Sequence, residues 1–307
     1  MYNGIINIHK EAGFTSHDVV ARMRGILRQK KIGHTGTLDP QATGVLPVCL
    51  GSGTRLCDML TDRDKEYVAE LLLGISTDTQ DTTGRIRQER PVEVSEAQVR
   101  EAALGFLGHY EQIPPMYSAL KVDGKKLYEL AREGKEVERR ARQVFIHELE
   151  LLDMALPVVK LRVVCSKGTY IRTLCYDIGE KLGCGGAMQS LVRTRVGRFA
   201  LDGAVTLAEL EALRDAGRIG EVLVPVDRLF ENCPALHVQG QFGRLLRNGN
   251  AIYPGQTREK EQYAPGRQVR FYHEDETFAG VYAYDEERKC YKPVKMFLEA
   301  EPNGTDS

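Results

Sequence analysis

The chain has 307 residues, 42% hydrophobic and 28% charged, with a formal net charge of −1 at pH 7. That composition describes a globular protein with a substantial core, as one large domain or one plus a smaller one. It argues against a membrane-spanning chain, because no apolar run approaches ~20 residues, and against a disulfide framework or structural zinc site, because the seven cysteines include no Cys-x-x-Cys pair.

Gly4–His9 reads as a short strand. Thr15-Ser16-His17-Asp18 offers a helix N-cap, and Val19, Val20, Met23, Ile26 and Leu27 recur at helical spacing to about Arg28. A glycine-punctuated loop follows. Val45–Leu50 predicts a buried strand and Gly53–Leu60 a short helix. Tyr67–Leu73 predicts a strand ending at Gly74, Thr77–Gly84 a polar turn, and Ser95 caps a helix carrying Val99, Ala102, Ala103, Phe106 and Leu107. Pro114-Pro115 ends regular structure there.

Lys121–Arg142 stands apart as an arm. It holds a Val122-Asp123-Gly124-Lys125 turn, a short helix near Leu127–Arg132 and a charged run, with eight basic residues to five acidic. Gln143–Asp153 and Val158–Cys165 predict a hairpin about Leu156-Pro157, Thr169–Leu182 a helix, and residues 207–216 another. From about residue 231 the chain becomes rich in Tyr, Phe, Gly and short alternating segments, which suggests a small β-rich domain. Strands and helices do not alternate cleanly, so the expected fold class is α+β rather than a doubly wound sheet.

The near-neutral total hides a pattern. Residues 160–198 carry Lys160, Arg162, Lys167, Arg172, Lys181, Arg193, Arg195 and Arg198 against Asp177 and Glu180, while 273–287 are wholly acidic in their charges. Residues 236–258 carry Arg244, Arg247 and Arg258 against no acid. Basic segments within a neutral total suggest a positive face able to track a phosphate backbone. The N-terminus shows no signal-peptide pattern, so the cytoplasm is the expected compartment and the Asn303-Gly304-Thr305 sequon carries no weight.

One run outweighs the rest: Lys31-Ile32-Gly33-His34-Thr35-Gly36-Thr37-Leu38-Asp39-Pro40-Gln41-Ala42-Thr43-Gly44-Val45-Leu46-Pro47. Between Asp18 and Asp58 the sole carboxylate is Asp39, among Arg22, Arg24, Arg28, Lys30, Lys31 and Arg55. An isolated carboxylate in a basic loop suits chemistry on a polyanion. Gly33, Gly36 and Gly44 permit backbone shapes closed to other residues, and Pro40 biases Asp39 toward extended geometry. On spacing alone the run suits a β-turn equally well, with Asp and Pro as ordinary turn formers. Fingerprints for nucleoside triphosphates, dinucleotides and His-Glu-x-x-His zinc sites are all missing.

The Gly33–Pro47 run resembles the signature Gly-His-Thr-Gly-x-Leu-Asp-Pro-x-Ala-x-Gly-x-Leu-Pro of the TruB family of tRNA pseudouridine synthases. Four further stretches, in order, are similar to that family's motifs: Lys10 with Gly13-Phe14-Thr15-Ser16; Lys65-Glu66-Tyr67 with Thr77-Asp78-Thr79-x-Asp81; Pro114-Pro115-x-Tyr117-Ser118-Ala119-x-Lys121; and Cys165-Ser166-Lys167-Gly168-Thr169-Tyr170-Ile171-Arg172. The C-terminal part resembles the family's PUA-like module only loosely, best over Leu245–Ile252.

The resemblance implies a pseudouridine synthase fold, with a mixed, mostly antiparallel central sheet flanked by helices. It implies a catalytic domain over 1–230, an RNA-gripping insertion at about 115–145, and a PUA-like domain over 231–307. It implies isomerisation of the uridine called position 55 in the tRNA T-loop, after the nucleotide is flipped out. Asp39 is then the nucleophile, acting either at the ribose C1′ or on a ribose proton. Arg172 keeps it ionised by opposing the burial penalty, and Tyr67 stacks on the uracil. His34 fills the space the base leaves, and Tyr170 and Leu191 line the pocket. Lys10 touches the RNA backbone or supports the loop. The arm grips the T-arm and the C-terminal module meets the acceptor stem. No cofactor, metal, membrane or obligate protein partner is implied, and the expected state is a monomer.

Three rivals stand beside this reading. Glycoside hydrolysis needs two carboxylates about one anomeric carbon, with Asp78 or Asp81 as the second. A non-catalytic RNA-binding module makes Asp39 a turn residue. A guide-RNA-dependent relative shares the motifs but works in a protein complex.

Overall fold

The computed structural model describes residues 1–122 and 124–298. Asp123, within the expected turn of the arm, and the Asn303-Gly304-Thr305 sequon lie outside the described residues.

β1 (Gly4–Lys10) leads into α1 (Ser16–Leu27), whose N-cap Thr15 forms a capping box with Asp18. β2 (Ile32–His34) and β3 (Thr43–Leu50) bracket the Asp39 loop. A 3-10 turn and α2 (Cys57–Thr61) replace the single helix expected over Gly53–Leu60. β4 (Lys65–Leu73) alternates buried and half-buried residues along its whole length, as a strand with one covered face must. β5 (Ile75–Thr77) and β6 (Ile86–Glu89) flank the polar turn.

Ser95 caps α3 (Glu96–Leu104) as expected, and β7 (Gly108–Gln112) follows it. The arm contains β8 (Lys121–Val122), β9 (Lys125–Lys126) and α4 (Leu127–Arg132), around a small core of Met116, Leu127 and Leu130. The hairpin expected next is β10 (Arg142–Ala155) with β11 (Val158–Cys165), and α5 (Ile171–Lys181) takes the place of the predicted 169–182 helix. β12 (Gly186–Val196), β13 (Phe199–Ala200), α6 (Leu207–Asp215) and β14 (Leu223–Val224) complete the main body. The remainder is β15 (Ala235–His237), α7 (Gly243–Arg247), β16 (Gln268–Tyr272), β17 (Phe278–Asp285) and β18 (Cys290–Met296).

The main sheet runs β14-β1-β3-β12-β4-β11-β10-β7, with β2 on β3 and β13 on β12. Its pairs are antiparallel except β12 with β3, and the fold is α+β. β1 and β3 are covered on both faces, by α1 and α6 on one side and by Phe199, Phe230 and the C-terminal residues Val281 and Phe297 on the other. That explains the unbroken apolar run of β3. α3 and α5 cover one face of β4, β11 and β10. The C-terminal strands form a separate four-stranded sheet with its own core about Leu236, Phe271 and Tyr282.

The one parallel pair of the main sheet among the described residues, β12 with β3, has a steric signature. Gly44 has φ +104°, and a Cβ there falls 2.2 Å from the Arg193 carbonyl oxygen. Gly44→Ala is expected to lose at least about 2 kcal/mol of stability by urea unfolding, from strain and collision together. A change below about 0.5 kcal/mol contradicts the close approach. Gly36, at φ +137°, also needs glycine's freedom, whereas Gly33 sits in β2 without a positive φ, so that expectation for Gly33 is corrected.

Candidate active site

The Asp39 loop is pinned from several directions. Thr35 donates to the Pro47 carbonyl through both its backbone N–H (3.2 Å) and its hydroxyl (3.1 Å). The Leu38 N–H donates to Ser16 Oγ at 2.9 Å, and Gly13 N–H to the Pro40 carbonyl at 2.9 Å. Leu38 and Ala42 insert into the core on either side of Asp39. The loop is a built turn whose one charged residue is left at the surface of the pocket.

Lys10 completes the clamp. Its ammonium is fully buried and donates to the carbonyls of Glu11 (3.1 Å), Pro40 (3.0 Å) and Ala42 (2.5 Å). All three N–H bonds are used within the protein. Of the two expectations for Lys10, RNA-backbone contact or support of the loop, these bonds fit the second. Burial lowers its pKa to about 8, with the Asp39 charge opposing that drop.

Arg172 meets Asp39 through a two-pronged contact, Nη2 to Oδ1 at 3.0 Å and Nε to Oδ2 at 2.9 Å. The guanidinium side chain is 5% exposed and the carboxylate 35%, so the acid alone faces the outside. Arg172 also donates to the Thr79 carbonyl (3.0 Å) and the Tyr117 carbonyl (2.8 Å). It therefore ties the Asp39 loop to the polar turn and to the segment before the arm. The first turn of α5 carries it, and Gln112 of β7 fixes that turn by bonding both the N–H and the carbonyl of Tyr170.

A second carboxylate approaches the same guanidinium. Asp81 Oδ2 lies 3.9 Å from Arg172 Nε. Its Oδ1 accepts from the Thr79 hydroxyl (2.7 Å) and from the Thr83 N–H (3.0 Å) and hydroxyl (2.6 Å). Asp78 is turned to the Arg85 N–H at 2.8 Å.

Tyr67 projects from β4 into the same core face as Ala69, and Leu191 of β12 pairs with Ala69. Burial raises the Tyr67 phenol to about 12, against the opposing pull of Arg193. Tyr170 is likewise raised by burial. His34 ends β2, where its Nδ1 accepts from the Gly36 N–H at 3.3 Å and its ring meets His17 edge-on at 5.2 Å. Burial, then the charges of His17 and Arg193, lower its pKa to about 4, so the ring is neutral near pH 7.

Part of the expected positive face is internal. Arg172 and Arg193 are buried. Arg162 is spent on Glu66 (3.2 Å), Glu148 (2.7 Å) and Glu150 (3.0 Å). Arg195 pairs with Glu66, Lys167 with Asp62 and Arg198 with Glu231. The basic stretch 160–198 is thus largely answered by acids from elsewhere in the chain.

Comparison with known proteins decides the family. Residues 24–171 match TruB family pseudouridylate synthase (N terminal domain), and residues 172–231 match tRNA pseudouridylate synthase B C-terminal domain. The chain belongs to the TruB family of pseudouridylate synthases. The tRNA pseudouridine synthase B of Lachnoclostridium phytofermentans is 51% identical to it, covering 96% of this chain and 100% of that one. The protein of the same name from Alkaliphilus oremlandii is 46% identical, covering 97% of this chain and 100% of the other. Among solved structures, a chain of a Cbf5-Nop10-Gar1 complex is 27% identical with a TM-score of 0.70, covering 96% of this chain and 85% of that chain. The two TruB matches together run from within α1 to just past β14 and take in every strand of the main sheet but β1. They stop before the C-terminal sheet.

Within this TruB chain four separate stretches supply the expected site residues: Arg172 pairs with Asp39, Tyr67 and Tyr170 feel the Asp39 charge, Leu191 shares a core with Tyr67, and His34 feels the charge of Arg193. Gln112 and Arg193 join them without having been singled out in the sequence. Gln112 sits in a short strand that its own sequence does not announce. Arg193 is lost among surface-type charges unless β12 is recognised and paired with β4.

Proposed function

We propose that this chain isomerises a uridine of tRNA to pseudouridine, at position 55 of the T-loop. The reaction breaks the bond between C1′ and N1, turns the uracil and joins C1′ to C5; the C5 proton leaves and N1 gains one, so the composition of the nucleotide is unchanged. The observation that carries the proposal is the Asp39–Arg172 contact, a half-buried carboxylate backed by a buried guanidinium. Asp39 acts on the ribose as nucleophile or as base, and either role requires the charged form that Arg172 favours.

Tyr67 stacks on the flipped uracil, with Leu191 and Tyr170 as pocket walls. A neutral His34 suits the space vacated by a base better than a cation does. The arm and the C-terminal sheet, with a boundary near residue 231, contact the T-arm and acceptor stem. The chain acts in the cytoplasm as a monomer without a protein partner. Hydrolysis of a glycoside is disfavoured, because Asp81 is committed to Thr79, Thr83 and Arg172 rather than free to protonate a leaving group.

The test is nucleotide-resolved pseudouridine mapping of unmodified tRNA transcript incubated with the purified chain alone. The expected result is one pseudouridine, in the T-loop, approaching one per molecule. Modification outside the T-loop rejects the site. No turnover without a guide RNA and accessory proteins supports the guide-dependent reading instead.

A further inference from the structure

Among the described residues Arg193 is the largest of the fully buried side chains, at 1% exposure. β12 places it directly across from Tyr67 of β4 and beside Gly44 of β3. Opposed residues on adjacent strands present their side chains to one face, so the guanidinium and the phenol share the pocket side of the sheet. Nε donates to the Val45 carbonyl at 2.7 Å and Nη2 to the Gly36 carbonyl at 3.2 Å. Those two carbonyls belong to the two limbs of the Asp39 loop. Tyr67 faces Arg193 from the opposed position on β4, close enough for its hydroxyl to be a hydrogen-bond partner of the guanidinium.

Among the described residues no carboxylate forms an ion pair with Arg193. A guanidinium held from water by neutral acceptors alone carries a desolvation cost that no opposite charge offsets. Its charge is felt by Lys10, His34, Lys65 and Tyr67, the groups around the pocket floor. A guanidinium has donors and no acceptor. The phenol oxygen therefore accepts from Arg193, and the phenol's own hydrogen is turned away from it.

We propose that Arg193 is a positioning residue for the reaction: anchored on the Val45 and Gly36 carbonyls, it holds the Tyr67 hydroxyl by donation and aims the phenol's proton toward the base pocket. The inference rests on the role given to Tyr67 above, and the measurements below separate the two.

Arg193→Met, Arg193→Lys and Tyr67→Phe are compared singly and combined, in single-turnover reactions with tRNA transcript and enzyme in excess. Arg193→Met is expected to slow the saturated rate by at least about 100-fold, with tRNA affinity within about threefold. In the Tyr67→Phe background the same change is expected to add less than about threefold, because the group it acts through is gone. Arg193→Lys recovers part of the loss. An equal loss in both backgrounds, or an effect confined to affinity, overturns the proposal.

A second readout needs no turnover. In enzyme carrying carbon-13 at the tyrosine Cζ, the Tyr67 resonance is the one that disappears in Tyr67→Phe, and it is expected to move in Arg193→Met. A resonance that stays in place overturns the proposal. Should Arg193→Met fail to fold, Arg193→Lys is read in the same way. A Tyr67→Phe enzyme with parental rate shows that the hydroxyl does not serve the reaction and overturns the proposal, while stacking by the ring, which phenylalanine keeps, is left standing.

Discussion

Asp39→Asn is expected to abolish pseudouridine formation while leaving tRNA binding within about tenfold of the parent, a loss under ~1.4 kcal/mol. The amide keeps the shape of the acid, and the loop bonds from Lys10, Ser16, Thr35 and Gly13 do not involve the carboxylate. What vanishes is the anion. An amide oxygen neither attacks an anomeric carbon nor takes a ribose proton at a useful rate. Stability is expected to fall only modestly, by roughly 1–2 kcal/mol, because the carboxylate is part-exposed and Arg172 retains two carbonyl acceptors. Tritium release from T-arm RNA labelled at uridine C5 reads turnover, and filter retention of the same RNA reads binding. Turnover above about 1% of parent removes the nucleophile assignment; a binding loss beyond about 100-fold would mean that the carboxylate shapes the RNA site instead.

Much of the frame is legible in the sequence because its signals are local. Thr15 and Ser95 announce their helices as N-caps, which form as expected, and the structure adds a capping box to each, with Asp18 and with Gln98. β4 alternates cleanly, and β3 reads as a continuous apolar run. β12 is the instructive failure. It sits at the centre of the sheet between β3 and β4, yet two bulges, at Met188/Ser190 and Arg193/Arg195, break its alternation. With that strand unread, Arg193 looks like one more surface charge. The same limit explains Lys10, Lys65 and Arg172: a sequence counts their charges, but burial depends on which carbonyls and carboxylates the fold brings to them. Asp39 and Arg172 are 133 residues apart, and no local pattern joins them. The family motifs do so in the sequence, and the geometry of the pocket then gives the pairing a physical form.

Arg172→Lys is expected to be nearly as damaging to turnover as Arg172→Ala, and that equivalence is the sharper test of the ion pair. Lysine preserves the charge but not the fork. Asp39 is gripped by two different nitrogens, Nε and Nη2, while Nη1 and Nη2 also hold the carbonyls of Thr79 and Tyr117. A single ammonium cannot span those four acceptors. The loop, the polar turn and the segment before the arm would then lose their common anchor, and Asp39 would no longer be held at one orientation. The saturated rate is expected to drop at least about 100-fold in Arg172→Lys, with tRNA affinity within about threefold. Arg172→Ala removes the anchor and the charge together, so it should in addition lose about 3 kcal/mol or more in urea unfolding, since buried carbonyls lose their donors and Asp39 its partner. A lysine variant with near-parental rate would show that positive charge alone is what Asp39 requires. A lysine variant whose defect lies wholly in affinity would make Arg172 a phosphate contact rather than the partner of the acid.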